Sequence, residues 1–216
     1  MSEDAPRPGT LSGWRLGLLV LAALLAIFLI LFGIRRFGPF PTYRMSSATM
    51  EPSLSEGDVV MVKGARAFCG QVRPEPGDVV VYRKPGLSVP YMHRVVAGPG
   101  QTAELRQGRL WIDGRAVPAR NEGRAPIGTG LPIEGDRIVE TLPNGRSYAT
   151  LDLGPGQELD DFGPVPVPAD RWLILGDSRD NAMDSRVSGL AAASDICATG
   201  LMIVWSEDEG KVGRRP

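Results

Sequence analysis

Hydrophobic residues form one long uninterrupted run near the start of the chain. Residues 16–34, LGLLVLAALLAIFLILFGI, contain no charged and no strongly polar side chain. A run of about nineteen apolar residues has the length that a helix needs to cross the hydrocarbon core of a membrane. A helix that is apolar on every face is rarely this long inside a small soluble domain. We therefore predict a transmembrane anchor over residues 14–36, after a polar tail over residues 1–13.

The flanks of this run bear on its processing and its orientation. The run is longer than the apolar part of a cleavable leader, and IRRFGPFP follows it instead of a small-x-small site. These features indicate a retained anchor. Three arginines (Arg35, Arg36 and Arg44) follow the run and two (Arg7 and Arg15) precede it. The positive-inside rule applied to these charges alone favours a cytoplasmic C-terminal domain.

Beyond the anchor, short apolar segments alternate with turn residues. Six segments are rich in Val, Ile, Leu and aromatic residues, as β-strands are. They are DVVMVK (58–63), GDVVVYR (77–83), MHRVVAG (92–98), RLWID (109–113), WLILGD (172–177) and GLMIVWS (200–206). Asp113-Gly114 and Asn144-Gly145 are typical of hairpin turns. The pattern predicts a mainly β fold.

The strand pattern also suggests how the chain is divided. It weakens between about residues 116 and 168, where Gly, Pro, Glu and Asp dominate. We interpret this stretch as a subdomain inserted into one domain over residues 37–206, whose strands form an antiparallel, barrel-like sheet. The polar residues 207–216 are expected to be a loose C-terminal tail.

Composition narrows the possible functions. The 216 residues carry a formal net charge of −1 with no basic block, so we predict no nucleic-acid binding. A single histidine and two distant cysteines exclude the usual Cys/His zinc sites, and we predict neither a metal nor a cofactor. Cys69 and Cys197 could form a disulfide outside the cytoplasm. Two buried thiols are the interpretation that the sequence slightly favours.

Four segments follow the anchor in a distinctive order. They are SSATMEPSL (46–54), GDVVVYRKP (77–85), YMHRVVAGPGQ (91–101) and LGDSRDNAMDSR (175–186). Together they resemble the type I signal peptidases, membrane-anchored serine proteases of the bacterial kind. The resemblance runs from about residue 37 to residue 206, apart from the inserted stretch. It implies that this β-domain is a catalytic domain and that Arg94, Asp177, Arg179, Asp184 and Arg186 form ion pairs beneath its site.

The resemblance also implies a set of catalytic positions. In the family a serine attacks the peptide carbonyl, a buried neutral lysine oriented by a second serine takes its proton, and a third hydroxyl helps to hold the oxyanion. Here Thr49 stands at the nucleophile position and Ser47 at the oxyanion position. His93 replaces the lysine, and Ala182 replaces the serine that orients it.

These substitutions are compatible with either a changed mechanism or a loss of activity. Histidine needs no depressed pKa to act as a base at neutral pH, so the orienting hydroxyl becomes dispensable. Such a base needs a partner for its second nitrogen, and Asp184 is the best match among the aspartates of the last segment. The signal peptidases of the endoplasmic reticulum and archaea resemble this variant. Against activity, Thr49 is β-branched and its methyl group crowds a site built for serine.

The resemblance implies an endopeptidase that removes signal peptides from exported precursors after a small-x-small site, with Thr49 as nucleophile and His93 as base. Its partners would be those signal peptides and the lipid bilayer. It would be a single-pass protein of the cell membrane, with the catalytic domain on the extracytoplasmic side, against the charge count. Two alternatives remain: an inactive homologue that binds or assembles surface proteins, and a processing peptidase with one dedicated substrate.

Overall fold

The computed structural model describes residues 13–37, 41–64, 69–83, 89–127 and 133–216, and the chain divides into two compact units at residue 40. The first unit contains helix α1, Gly13–Phe37. Within the described residues, α1 is the one helix long and apolar enough to cross a membrane, over Trp14–Phe32. The side chains of this stretch are exposed, as those of a lipid-facing helix would be. Residues 1–12 of the predicted tail lie outside the described residues.

The second unit is built almost entirely from strands. In chain order they are β1 Thr42–Arg44, β2 Val59–Gly64, β3 Val79–Tyr82, β4 Tyr91–Ala97, β5 Thr102–Arg106, β6 Arg109–Ile112, β7 Arg115–Ala116, β8 Ala119–Ile127, β9 Ile133–Thr141, β10 Ser147–Asp152, β11 Phe162–Pro166, β12 Arg171–Leu175, β13 Ala191–Ala192 and β14 Ile196–Trp205. One short helix, α2, covers Ser185–Ser188. Each of the six predicted segments contains a strand, and the mainly β fold is confirmed.

The strands form three sheets. The largest has seven strands in the order β1-β2-β14-β3-β4-β12-β13, with antiparallel pairing throughout. Its central strand β3 is buried along its whole length. Because successive side chains of a strand point to opposite faces, Val79 and Val81 enter one core, whereas Val80 and Tyr82 enter another. This alternation positions Tyr82 and, on the neighbouring strand β4, His93.

The predicted insertion is only partly a separate unit. Strands β8, β9 and β10 form a three-stranded sheet of their own. In contrast, β11 pairs with β5 in a four-stranded sheet that also contains β6 and β7. Asp113 and Gly114 join β6 to β7 with positive φ angles of 52° and 72°, as the predicted hairpin requires.

A buried ion pair joins the three-stranded sheet to the loop that follows β12. Arg179 donates two hydrogen bonds to Glu140 of β9, at 2.8 and 2.6 Å, and both side chains are buried. The Tyr148 hydroxyl of β10 donates to the same carboxylate. Burial opposes the charge of Arg179, but Glu140 more than compensates and raises the pKa of this guanidinium. Arg179 thus pairs as expected, although its partner comes from the insertion.

Two features of the domain differ from the sequence-based expectation. Cys69 and Cys197 form a disulfide, so the favoured interpretation of two buried thiols was wrong. Residues 207–216 are not loose. Arg214 and Gly213 exchange backbone hydrogen bonds with Ile203 of β14, and the Lys211 ammonium donates to Ser55 Oγ at 2.8 Å. The disulfide spans 128 positions and the contact between Lys211 and Ser55 spans 156, which explains why the local pattern revealed neither.

Replacing Glu140 tests how strongly the buried pair contributes to stability. Glu140→Gln leaves the Arg179 guanidinium buried without a counter-charge, and we expect the free energy of unfolding to fall by roughly 3–5 kcal/mol. Chemical denaturation of the full chain in detergent measures this. Glu104→Gln is the matched control because its partner Arg106 is half exposed, so the loss there should be much smaller. Equal losses of unfolding free energy in the two variants would show that the buried pair contributes no more to stability than the exposed one.

Candidate active site

The residue expected to be the nucleophile lies in a short, well-anchored turn. Ala48–Met50 forms one turn of 3₁₀ helix, and Ser47 precedes it with an extended backbone. Met50 is completely buried in the core, and its carbonyl accepts a hydrogen bond from the amide of Leu54, which is also buried. Thr49, in contrast, is only half buried. The burial of Met50 therefore holds the turn in place while leaving the Thr49 side chain accessible.

The two hydroxyls of this turn are close to each other. Ser47 Oγ and Thr49 Oγ1 are 3.2 Å apart. The carbonyl of Thr49 accepts a hydrogen bond from the amide of Ser178, so the loop after β12 supports the turn from its other side. This arrangement places one hydroxyl beside the other, as is required when one attacks a carbonyl and the second stabilises the oxyanion.

His93 is at the middle of β4, opposite Val80 of β3, and its side chain is 1% exposed. Its Nδ1 atom is 3.0 Å from the hydroxyl of Tyr82, and both groups are buried. Burial, and to a smaller extent the negative charge of Asp184, raise the pKa of Tyr82 well above its usual value. The phenol is therefore neutral at any pH at which the protein would work.

One cleft brings the predicted residues together. It has a volume of about 760 Å³ and is lined by Ser47, Thr49, His93 and Ala182 from three of the four motif segments. Apolar side chains at the same cleft include Val89, Met92, Met183 and Val187. The fold thus assembles, in one cavity, residues that are up to 135 positions apart in the sequence.

Asp184 has a different environment from the other predicted residues. It is fully buried and caps the N-terminus of α2. Its Oδ2 accepts hydrogen bonds from the Gly176 amide and from Arg186, and its Oδ1 accepts two more from Arg186. This carboxylate therefore holds both ends of the loop over residues 176–186 in place.

The two remaining aspartates of this loop are also engaged. Asp177 forms a bidentate ion pair with Arg94, at 2.8 and 2.6 Å. Asp180 lines the cleft, where its Oδ2 accepts a hydrogen bond from the amide of Leu153 and burial raises the pKa of its carboxyl. The expected pairs of Arg94 with Asp177 and of Arg186 with Asp184 are both present.

The residue that sequence reasoning missed is Tyr82. It lies in GDVVVYRKP, a segment used to identify the family, but nothing in the sequence indicated that its hydroxyl meets the histidine. Strand alternation would have placed Tyr82 and Val80 on the same face of β3, and the register then puts His93 opposite Val80. The missing information was the pairing register of β3 and β4, which brings Tyr82 close to His93. Among the described residues, no group of three or more His, Cys, Asp and Glu side chains could hold a metal ion.

Comparisons with known proteins identify relatives of this chain. Residues 16–205 match the family described as "Signal peptidase, peptidase S26". The chain is 36% identical over 178 residues to a signal peptidase I of Rickettsia canadensis, covering 74% of this chain and 64% of that protein. It is 29% identical over 185 residues to a signal peptidase I of Bacillus amyloliquefaciens, covering 85% and 82%.

The crystal structure of a signal peptidase I from Enterococcus faecalis V583 is also similar, with a TM-score of 0.37 and 19% identity, covering 59% of this chain and 97% of that one. The family match spans most of the sequence and includes all four motif segments. The chain therefore belongs to the signal peptidase family, peptidase S26. It spans about 64% of the length of the Rickettsia relative.

Gly176 provides a test of how closely the loop and the nucleophile turn must approach. A Cβ at this position would lie 2.3 Å from Ala182 Cβ and 2.7 Å from the Thr49 carbonyl oxygen. We expect Gly176→Ala to force the two segments apart and to lower the free energy of unfolding by about 1–3 kcal/mol. Thermal unfolding of the full chain measures the loss.

Gly98→Ala is the matched control for this substitution. A Cβ at Gly98 would lie 3.6 Å from its nearest neighbour, Trp172 Nε1, which is an ordinary contact distance. We expect its stability to stay within about 1 kcal/mol of the wild type. An equally well-tolerated Gly176→Ala would show that the turn and the loop are not tightly packed.

Proposed function

We propose that this protein is a membrane-anchored endopeptidase that removes N-terminal signal peptides from exported precursors. The observation that carries the proposal is the single cleft that contains Ser47, Thr49 and His93, with the two hydroxyls 3.2 Å apart. Membership of the signal peptidase family supports the same reaction. The family's preference for small residues on either side of one variable residue supplies the expected cleavage site.

In the proposed reaction, Thr49 Oγ1 attacks the carbonyl carbon of the scissile peptide while its proton passes to Nε2 of His93. The oxyanion accepts hydrogen bonds from the Thr49 amide and the Ser47 hydroxyl. His93 then returns the proton to the leaving amine, and the C–N bond breaks to give a threonine ester. Water, deprotonated by the same imidazole, hydrolyses the ester and regenerates Thr49.

A histidine base explains why the lysine-orienting hydroxyl is unnecessary here. A lysine must be desolvated to be neutral, whereas an imidazole with an ordinary pKa near 6.5 is already neutral above that pH. Ala182 fills the place of the orienting serine, and its methyl group packs on Gly176 instead of donating a hydrogen bond. In this interpretation the replacements at positions 93 and 182 are two parts of one change in mechanism.

Asp184 contributes indirectly in this proposal. Its carboxylate bonds Gly176 and Arg186 and so determines the shape of the loop that packs against Thr49. It also places a negative charge near the Tyr82 and His93 pair. We assign it the role of a positioning residue, since its bonds to the loop account for both of its carboxylate oxygens.

The threonine favours a second candidate function, that of an inactive homologue that retains the cleft and binds precursors. Its γ-methyl group restricts χ1, and a small displacement of the nucleophile lowers the rate of attack strongly. The contact with Ser47 supports activity instead, because it holds the hydroxyl at the position where the nucleophile and the oxyanion donor must act together.

Kinetics separates the two candidates. The purified full chain in detergent is given a preprotein with an Ala-x-Ala site, and we expect cleavage that falls by roughly 10³-fold or more in Thr49→Ala and in His93→Ala. We expect Thr49→Ser to cleave at least as fast as the wild type, because it removes the restricting methyl. Thr141→Ala, which removes a threonine hydroxyl outside the cleft, is the control. Negligible turnover by the wild type and Thr49→Ser alike would refute the peptidase.

The location of the catalytic domain is proposed to be the extracytoplasmic side of the cell membrane. Signal peptides are removed on that side, and the disulfide between Cys69 and Cys197 supports it because disulfides persist in oxidising compartments. We give this evidence more weight than the arginines around α1, which favour the opposite orientation by only a few charges.

Thiol labelling in cells tests this orientation. Acid-quenched bacteria expressing the full chain are denatured and treated with a maleimide polymer, and we expect labelling only after reduction. Cys69→Ser is the control, because it leaves Cys197 without its partner and open to labelling with no reductant. Labelling of the unreduced wild type at both cysteines would contradict an extracytoplasmic domain.

A further inference from the structure

We infer that Tyr82 is the positioning residue of the histidine base, and that its hydroxyl at Nδ1 selects the tautomer of His93 whose Nε2 can accept the proton of Thr49. This inference rests on the proposed function and goes beyond it. It assigns to a tyrosine of β3 the task that a carboxylate performs in many histidine-dependent hydrolases.

The register of two central strands places these side chains together. His93 is opposite Val80 and Tyr91 is opposite Tyr82, so Tyr82 and His93 are diagonal neighbours on the same face of the sheet. Their ring centroids are 5.7 Å apart, and the Tyr91 ring lies 5.9 Å from that of Tyr82. With 3% and 1% exposure, respectively, Tyr82 and His93 have little freedom to change rotamer.

The proton arrangement of this pair decides whether His93 can be a base. If Nδ1–H donates to the tyrosine oxygen, the Nε2 lone pair is available to receive a proton. If the tyrosine O–H donates to Nδ1 instead, Nε2 carries the hydrogen and cannot accept another. A neutral imidazole must adopt one of these two arrangements.

The proposed reaction requires the first arrangement, because Nε2 must be able to accept the proton of Thr49. Geometry carries the contact itself, since the two groups are buried and the Tyr82 oxygen lies 3.0 Å from Nδ1. Burial, and to a smaller extent the charge of Asp184, raise the pKa of Tyr82, so the partner of His93 is a neutral phenol.

A neutral partner has a chemical consequence that a carboxylate would not have. A carboxylate at Nδ1 stabilises the imidazolium and thereby raises the pKa of the histidine. A phenol orients the ring without adding a full negative charge. This property suits a base that must be neutral before each attack.

His93 is the only histidine in the chain, so its tautomer can be observed directly. The full-length protein, labelled with ¹⁵N-histidine and carrying a tag without histidine, is studied in detergent micelles at a pH roughly two units above the ordinary pKa near 6.5. A long-range ¹⁵N–¹H spectrum then contains one imidazole. We expect the wild type to carry its hydrogen on Nδ1.

Tyr82→Phe removes only the hydroxyl. We expect the imidazole of this variant to become a mixture of both tautomers, and kcat for the Ala-x-Ala precursor to fall by about tenfold with little change in KM. Tyr148→Phe is the matched control: it removes another buried tyrosine hydroxyl, bonded to Glu140 and outside the cleft. It should alter stability but leave the His93 spectrum unchanged.

Two results would overturn the inference. One is a wild-type spectrum with the hydrogen on Nε2, and the other is an identical tautomer in the wild type and in Tyr82→Phe. The spectra need no turnover, so they are independent of the peptidase assay. A protein that cleaves nothing but shows the expected change in tautomer would refute the proposed function and leave the role of Tyr82 in orienting His93 established.

Discussion

The guanidinium of Arg94 and the carboxylate of Asp177 form a bidentate ion pair that is buried on all sides. Arg94 follows His93 on β4, and Asp177 follows Gly176 at the end of β12, so the pair ties the strand of the base to the loop that packs on Thr49. A buried charge without its partner is costly, which means that the strand and the loop are stable only in this mutual arrangement. The geometry of the cleft depends on it.

This constraint extends outward through other charged and aromatic groups. The Arg94 guanidinium lies 4.5 Å from the ring centroid of Tyr148, whose hydroxyl bonds the Glu140 that pairs with Arg179. The small sheet therefore completes the charge balance beneath the cleft. On the opposite face of β4, His93 meets Tyr82 in an apolar core. One strand thus presents the charged guanidinium of Arg94 on one side and the imidazole of His93 on the other.

Several elements could be predicted from local sequence alone. The strands followed from their Val- and Ile-rich segments, and the β6–β7 hairpin from Asp113-Gly114, since both depend on neighbours within a few residues. The residues that meet in the cleft, Thr49, His93 and Ser47, followed from the family resemblance. The partner of Arg179 did not, because Glu140 lies 39 positions away in a stretch with a weak pattern.

By itself, the sequence determined the apolar helix, the mainly β domain, the family and the three replacements at positions 49, 93 and 182. Only the tertiary structure decided which groups those replacements meet. The Tyr82 hydroxyl at Nδ1, the Cys69–Cys197 disulfide and the docking of residues 207–216 all depend on strand register or on long-range packing. A one-residue shift in register would turn every side chain of a strand to the other face, and no local pattern contains that information.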